Sequence, residues 1–487
     1  MIRVVRSAVI DAPIERVWAV LRDFNSHTAW HPIVAQSAIE GGEAADQVGC
    51  VRNFTLRDGA HVREQLLALS DEDHISTYCI LDATLPIERY VATVQLKRVT
   101  DGNRTFWHWE STFDAPRGRE QEFADLVGRG VYEGGFEGLR TYLRRTRSAA
   151  AGAAPRRSTR GAIRGRAIVI DRHGGAEELK SRDVDARAPG PGEARLRQTA
   201  IGVNYIDVYV RRGLYPLLTP PGTPGMEAAG EVLDVGEGVT GILPGDRVAY
   251  ACPPVGAYAQ YRTLQAEQLV VLPDSIDDET AAALMLKGMS AEYLVRRVHR
   301  VQRGDTVLVH SAAGGAGSLL CQWAKHLGAT VIGTVSSEAK ARAARAAGCD
   351  HPIVTTGDDF VARVKEITGG RGADVVYDAV GKDTLAGSLE ALALKGHLVS
   401  YGQSSGAAEP PGLAALSAKS ATFSRPILFH YTADPRDLRE IAGNVFDMVA
   451  RGALKVDVRQ RYPLVEAARA HLDLEARRTI GASVLLP

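Results

Sequence analysis

The residues of this chain that could do chemistry are few, and the clearest group is a glycine loop. Thr306-Val307-Leu308-Val309-His310 reads as a buried strand, and Ser311-Ala312-Ala313-Gly314-Gly315-Ala316-Gly317 follows it at the head of a helical stretch. A strand that turns through glycines into a helix gathers backbone N–H groups and the positive helix end at one point, which suits a pyrophosphate. Gly314 and Gly315 allow close backbone approach, and Gly317 lets helix and strand pack. The spacing departs from G-x-G-x-x-G, so a purely structural turn is the alternative. The next strand ends Val335-Ser336-Ser337-Glu338-Ala339-Lys340. A free ribose 2′-hydroxyl usually meets an acidic residue at such a tip. Two hydroxyls and the Lys340 ammonium instead favour a 2′-phosphate, so the expected cofactor is NADPH, with Ser337 and Lys340 as contacts. Glu338 argues the other way unless it serves as favourable charge at a helix N-terminus. A third group lies near the start. In His61-Val62-Arg63-Glu64-Gln65-Leu66, alternation puts Glu64 on the face of Val62 and Leu66, and a carboxylate on an apolar face needs a reason.

Three arrangements of elements must position these groups. Near the start, Arg3–Asp11 alternates, then Ile14, Val17, Trp18 and Leu21 make one helical face behind Pro13. Strand-like runs follow at 50–56, 61–69, 75–81, 89–96 and 104–113, separated by turns such as Arg57-Asp58-Gly59 and Thr100-Asp101-Gly102-Asn103. A helix over about 120–144 closes this α+β unit, a curved sheet gripping a helix, and such a grip often leaves a cavity. The seam Thr146–Gly165, TRSAAAGAAPRRSTRGAIRG, nearly lacks large apolar residues and predicts a flexible connector. Beyond it, strands at 167–171, 194–200, 230–235 and 246–250 suggest a barrel-like unit. From about Lys287, strand–helix alternation through 306–310, 330–335, 373–378 and 397–401 predicts a doubly wound α/β sheet.

Bulk properties narrow the classes. A chain of 487 residues is too long for one core, and 58 Lys+Arg against 58 Asp+Glu leave no nucleic-acid footprint. The basic cluster Arg140–Arg164 coincides with the connector and reads as solvated charge rather than a phosphate patch. Five cysteines without short spacing argue against a disulfide framework or a Cys-rich metal site. Met1–Arg6 reads as a strand rather than a secretory leader, and no apolar run is long enough to span a membrane. A cytoplasmic enzyme without membrane or nucleic-acid partners is the expectation.

Residues 165–487 resemble the zinc-independent quinone oxidoreductase (zeta-crystallin-like) branch of the medium-chain dehydrogenase/reductase superfamily. The resemblance rests on Gly202-Val203-Asn204-Tyr205-Ile206-Asp207-Val208-Tyr209, Gly213-Leu214-Tyr215-Pro216, Leu286-Lys287-Gly288, Ala312–Gly317 and Gly402-Gln403-Ser404-Ser405-Gly406. It implies a GroES-like barrel domain (165–287 and 431–487) and a Rossmann domain (288–430). Zinc members carry Cys where this chain has Asn204 and Gly-His-Glu where it has Gly225-Met226-Glu227, so no metal is expected. Without a Lewis acid, hydrogen-bond donors must meet the charge that develops on a substrate oxygen. The resemblance places Asn204, Tyr209 and Tyr215 in that role. It adds Ser290, Ala313, Gly402, Ser404 and Arg425 as cofactor contacts. Lys287 is left either near the cofactor or on the surface. Thr355 departs from the family, which commonly has Tyr there. The resemblance also implies a homodimer through the nucleotide domains.

Residues 1–146 resemble the START-like helix-grip superfamily that includes polyketide cyclases and plant hormone receptors. The resemblance rests on Ala12-Pro13 with Val17-Trp18, on Trp30-His31-Pro32, and on Val62–Leu66. It implies that His31, Glu64 and Tyr90 line a cavity, either for binding or for acid/base cyclisation or dehydration of a polyketide-like intermediate. With a connector over 147–164, the expected molecule is an NADPH-dependent quinone or enone reductase with a ligand-cavity domain in front. The alternative is a crystallin-like protein or ligand carrier that holds NADPH with little turnover.

Overall fold

The structure, a computed structural model, describes residues 1–99, 104–150, 161–273, 275–355 and 359–487. The chain divides into two compact units with the boundary near residue 156. The connector expected over 147–164 falls largely on residues outside those described. It is flanked by the helix Gly134–Ala150 and the strand Ile163–Val169. The turn expected at Thr100–Asn103 also lies outside the described residues.

In the first unit seven strands form one antiparallel sheet: β1 (Ile2–Ile10), β2 (Val34–Ile39), β3 (Val51–Leu56), β4 (His61–Ser70), β5 (Ile75–Ala83), β6 (Glu88–Val99) and β7 (Arg104–Asp114), in the order β1-β7-β6-β5-β4-β3-β2. Strand β2 was not foreseen, because Val-Ala-Gln-Ser-Ala-Ile alternates weakly and only Val34 is buried. Alternation is complete in β7, where Thr105, Trp107, Trp109, Ser111 and Phe113 face inward. The helix Ile14–Leu21 buries Ile14, Val17, Trp18 and Leu21, the stripe that its 3.6-residue period predicts. The closing helix is not uniform. Glu120–Asp125 is α-helical, Leu126–Glu133 widens into a π-helix, and Gly134–Ala150 returns to α. Glycine is required where this helix crosses the interior, since a Cβ on Gly138 would stand 2.2 Å from the Trp30 carbonyl oxygen.

The second unit has two halves. Strands Val270–Val271, Arg247–Ala251, Glu227–Val235, Glu193–Val203, Ala482–Leu486 and Val458–Pro463 pair in that order, and Tyr261–Gln265 adds to Glu193–Val203. The end of the chain therefore returns to complete the barrel begun before residue 290. The other half is a six-stranded parallel sheet in the order His351–Val354, Thr330–Val335, Thr306–Val309, Ala373–Asp378, Leu392–Ser400, Thr422–Ser424. Strand order reverses between Thr306–Val309 and Ala373–Asp378, the crevice where dinucleotides bind in doubly wound sheets. The helix Asp278–Tyr293, buried on nearly every side, packs against both barrel strands and the helix Gly315–His326. Asp277 caps it by accepting the Thr280 N–H at 2.8 Å.

Candidate active site

A cleft of about 950 Å³ opens between the two halves of the second unit. Ala313, Gly314, Gly315 and Gly317 form its floor, with the helix Gly315–His326 starting there. These glycines are matched to their places. A Cβ on Gly317 would stand 2.3 Å from the Ser311 carbonyl oxygen, and one on Gly315 would stand 2.8 Å from Lys287 Cδ. Gly402 has the same reason, since its Cβ would lie 2.6 Å from the Ala379 carbonyl oxygen. The loop thus presents backbone amides and a helix dipole with no side chain in the way, a fit for a pyrophosphate.

At one end of the cleft lie Ser336, Lys340, Thr355 and Arg477. Lys340 Nζ donates to the Arg477 carbonyl at 2.8 Å, which brings two cations to the tip of Thr330–Val335. Burial and the Arg477 charge together lower the Lys340 pKa. Ser337 lies outside the lining, because its hydroxyl caps the helix Glu338–Ala346 by accepting the Lys340 N–H at 3.3 Å. Ser336 takes the lining position. Glu338 occupies the first turn of that helix, the favourable-charge role. Thr355 turns its hydroxyl back to the Val335 carbonyl at 3.3 Å.

The opposite end is built around Asn204, which begins the helix Tyr205–Arg211. The Asn204 amide nitrogen donates to Glu227 Oε1 at 2.8 Å, and Lys287 Nζ donates to the same oxygen at 2.6 Å. The Leu286 N–H donates to Glu227 Oε2 at 2.5 Å. Lys287 is therefore neither on the surface nor free: it is buried, paired, and has its stem against Gly315. The Asn204 N–H is held by Asp207 Oδ2 at 2.8 Å, which also accepts from Tyr258 Oη at 3.0 Å. Burial raises the Asp207 pKa to about 7.

Tyr209 Oη accepts the Gln403 N–H at 3.0 Å, which leaves its own proton to be donated into the cleft. Burial pushes the phenol pKa far above its ordinary value, so Tyr209 keeps that proton. The Tyr209 and Tyr215 rings lie 5.1 Å apart, and Tyr215 Oη is 3.5 Å from Arg425 Nη2. Ser290, Gly402, Ser404 and Arg425 line the same region. Of the residues expected here, the structure brings all but Ser337 to one cleft. Tyr205 and Arg477 were missed, although Tyr205 lines the cleft and donates to the Ser404 carbonyl at 3.1 Å.

In the first unit His31, Glu64 and Tyr90 are all buried. Glu64 pairs with Arg52, also buried, whose guanidinium reaches the Phe24 carbonyl and lies 2.5 Å from His27 Nδ1. Burial raises the Glu64 pKa while Arg52 opposes the shift. Tyr90 Oη and Tyr132 Oη are 2.9 Å apart, and Trp109 Nε1 donates to Tyr78 Oη at 3.0 Å. His31 Nε2 contacts the Val131 carbonyl at 3.1 Å while its Nδ1 has no partner. Burial lowers the imidazole pKa to about 4, so it is neutral at physiological pH.

Comparisons with known proteins agree with this division. Residues 1–144 match the family described as polyketide cyclase / dehydrase and lipid transport. Residues 190–274 match the alcohol dehydrogenase GroES-like domain, and 315–443 match the zinc-binding dehydrogenase family. A quinone oxidoreductase of Pseudomonas aeruginosa is 48% identical over 321 residues, covering 66% of this chain and 99% of the relative. The chain belongs to the quinone oxidoreductase family. A 2-haloacrylate reductase of Burkholderia is 47% identical over 328 residues, covering 66% of this chain and 98% of its own. Among solved structures, an Escherichia coli quinone oxidoreductase complexed with NADPH is 43% identical with a TM-score of 0.65, covering 66% of this chain and 100% of that one. The family carries a further domain here, ahead of the matched region.

The zinc of the dehydrogenase family's description does not fit this donor set. Both Glu227 oxygens are taken by protein donors, and the Lys287 ammonium supplies the positive charge. Asn204 and Met226 offer no thiolate or imidazole beside them. Among the described residues no cluster of three His, Cys, Asp or Glu side chains could hold a metal ion, and no helix is long and apolar enough to cross a membrane.

Proposed function

We propose that the second unit reduces a quinone or an α,β-unsaturated carbonyl compound with NADPH. The observation that carries this reading is the shared cleft, in which a glycine loop suited to a pyrophosphate faces an end lined by Asn204, Tyr209 and Tyr215. NADPH, when bound, supplies the hydride. The chain's own residues do the rest. The Gly314–Gly317 amides hold the pyrophosphate, and Lys340 with Arg477 favours the 2′-phosphate over a bare hydroxyl. Tyr209 donates to the oxygen on which charge develops, and its raised pKa keeps it a donor throughout neutral pH. Glu227 and Lys287 fix the plane of the Asn204 amide, whose remaining N–H is available to the same oxygen.

The test is NADPH consumption, followed by absorbance, with a simple para-quinone. Steady turnover supports the reading. Tyr209→Phe should lower kcat by about 10²-fold, the typical effect of losing one donor to a developing oxyanion. Binding of NADPH without turnover on several acceptors would instead support a carrier role.

For the first unit we propose binding, cyclisation or dehydration of a polyketide-like intermediate. The free His31 Nδ1 in a neutral imidazole supports acid/base work, and the satisfied Glu64–Arg52 pair supports binding. Residues 147–164 serve as the connector, and the enzyme works in the cytoplasm as a homodimer. The short edge strand Thr422–Ser424 and the exposed Leu394 and Leu413 support pairing of nucleotide halves.

A further inference from the structure

Of the cleft's cations, Lys340 donates to the Arg477 carbonyl at the strand tip, and Arg425 lies at the phenol end. Lys287 is paired with Glu227, and the Arg477 guanidinium lies 3.9 Å from Asp383. Arg425 has only neutral partners among the described residues. Its Nη1 donates to Ser400 Oγ at 3.1 Å, and its Nη2 to Gln403 Oε1 at 2.8 Å and to Tyr215 Oη at 3.5 Å. Those contacts leave roughly two of the five N–H donors of a guanidinium free. They also lock the group against the substrate-polarising wall. The Gln403 N–H meets Tyr209 Oη, and Tyr215 packs on the Tyr209 ring.

Arg425 is exposed to the cleft and is anchored away from the glycine loop. Ser400 ends a strand two places from Thr306–Val309 in the sheet, and strands are spaced about 4.8 Å apart. The anchor of Arg425 is thus roughly 10 Å along the sheet from the glycine turn, on the side of the phenols.

We propose that Arg425 is the carboxylate anchor of the substrate site, matching the reductase to conjugated carbonyl compounds that carry a carboxylate beside the reacting double bond. The inference rests on the reductase reading above and narrows its substrate class. A hydride added to the β-carbon forms a C–H bond, and the C=C π pair moves to the carbonyl as an oxyanion. A solvent proton then closes the α-carbon as oxidised cofactor departs. With a carboxylate attached, the intermediate carries a second negative charge. Tyr209 and Asn204, both neutral, cannot balance that charge. A guanidinium with a free donor can, by a charge-assisted hydrogen bond that also orients the double bond.

The test compares trans-3-benzoylacrylate with its methyl ester, and a neutral para-quinone, on the full chain. The wild type should prefer the acid over the ester by about tenfold or more in kcat/KM, the range expected of a hydrogen bond to a charged group. Arg425→Gln should abolish that preference, lowering kcat/KM for the acid about tenfold more than for the ester, with NADPH affinity followed beside it by fluorescence titration. Arg425→Lys, which keeps the charge without the guanidinium, should fall between, and it carries the test if Arg425→Gln does not fold. Equal treatment of acid and ester by the wild type overturns the proposal. So does equal loss on both in the variants, and so does weakened NADPH binding, which would make Arg425 a cofactor contact. Absence of turnover on the quinone as well sinks the reductase reading itself, a different outcome.

Discussion

Buried charge is the recurring device at the scale of single residues. Lys287 could not be placed from the sequence, because an isolated lysine carries no sign of its burial. The signal that could have placed it is Glu227, an acidic residue left without the ligands of a zinc site and therefore in need of a cation. Lys340 was legible since it follows a strand tip directly, whereas Arg477 joins it from far along the chain and belongs to no motif. Asp207 offers a sharp test. Its folded pKa of about 7 lies above the ordinary 3.8, so the native state holds a proton that the unfolded chain releases. That contribution is full below about pH 4 and is lost as pH rises through about 7. Asp207→Asn keeps an acceptor for the Asn204 N–H and does not titrate. Its melting temperature relative to wild type should therefore climb between pH 4 and 7 and level off above. A difference that stays constant across that window, measured by calorimetry, would contradict the assignment.

Elements were read more reliably than partners. Alternation in β4 put Glu64 inward, and the hairpin turn Arg57-Asp58-Gly59 held the rest of the answer. Residues equidistant from Asp58 must face each other, and Arg52 does pair with Glu64 across β3 and β4. The π-helix Leu126–Glu133 left no such trace, because its apolar residues still satisfy an ordinary helical stripe. The Arg52–Glu64 pair gives a prediction at this scale. Arg52→Met strands a buried carboxylate and should destabilise the first unit by about 3–5 kcal/mol, while adding Glu64→Leu should restore most of the loss. Trp18, Trp30, Trp107 and Trp109 all lie in that unit, and the fifth tryptophan, Trp323, in the other. Denaturation followed by tryptophan fluorescence therefore reports chiefly on it. A double variant no more stable than the single one would show that the ion pair is not what the substitution disturbs.

For the molecule as a whole, the functions proposed for the two units would link in one direction, the first making the conjugated carbonyl that the second reduces. Loss of water from a β-hydroxy ketone makes the double bond that a hydride-delivering cleft requires. Residues 164–487 expressed alone should reduce a simple quinone within about twofold of the full chain's rate. With a β-hydroxy ketone, NADPH consumption should need residues 1–147 as well. If the shorter protein consumes NADPH equally fast with that precursor, the two chemistries are uncoupled. This level was the least legible in sequence, because a connector poor in large side chains records that two units are joined and nothing about why.

The side chain that presses on Gly315 and grips Glu227 also constrains the ancestry open to this enzyme. Restoring a thiolate at position 204 and an imidazole at 226 would rebuild the ligands of a metalloenzyme around a seat already filled by an ammonium. A divalent ion would meet repulsion there until Lys287 was exchanged too, and that exchange would unsettle the bed of the coenzyme's phosphates. Building a metal site into this cleft would therefore take at least three coordinated replacements, at positions 204, 226 and 287.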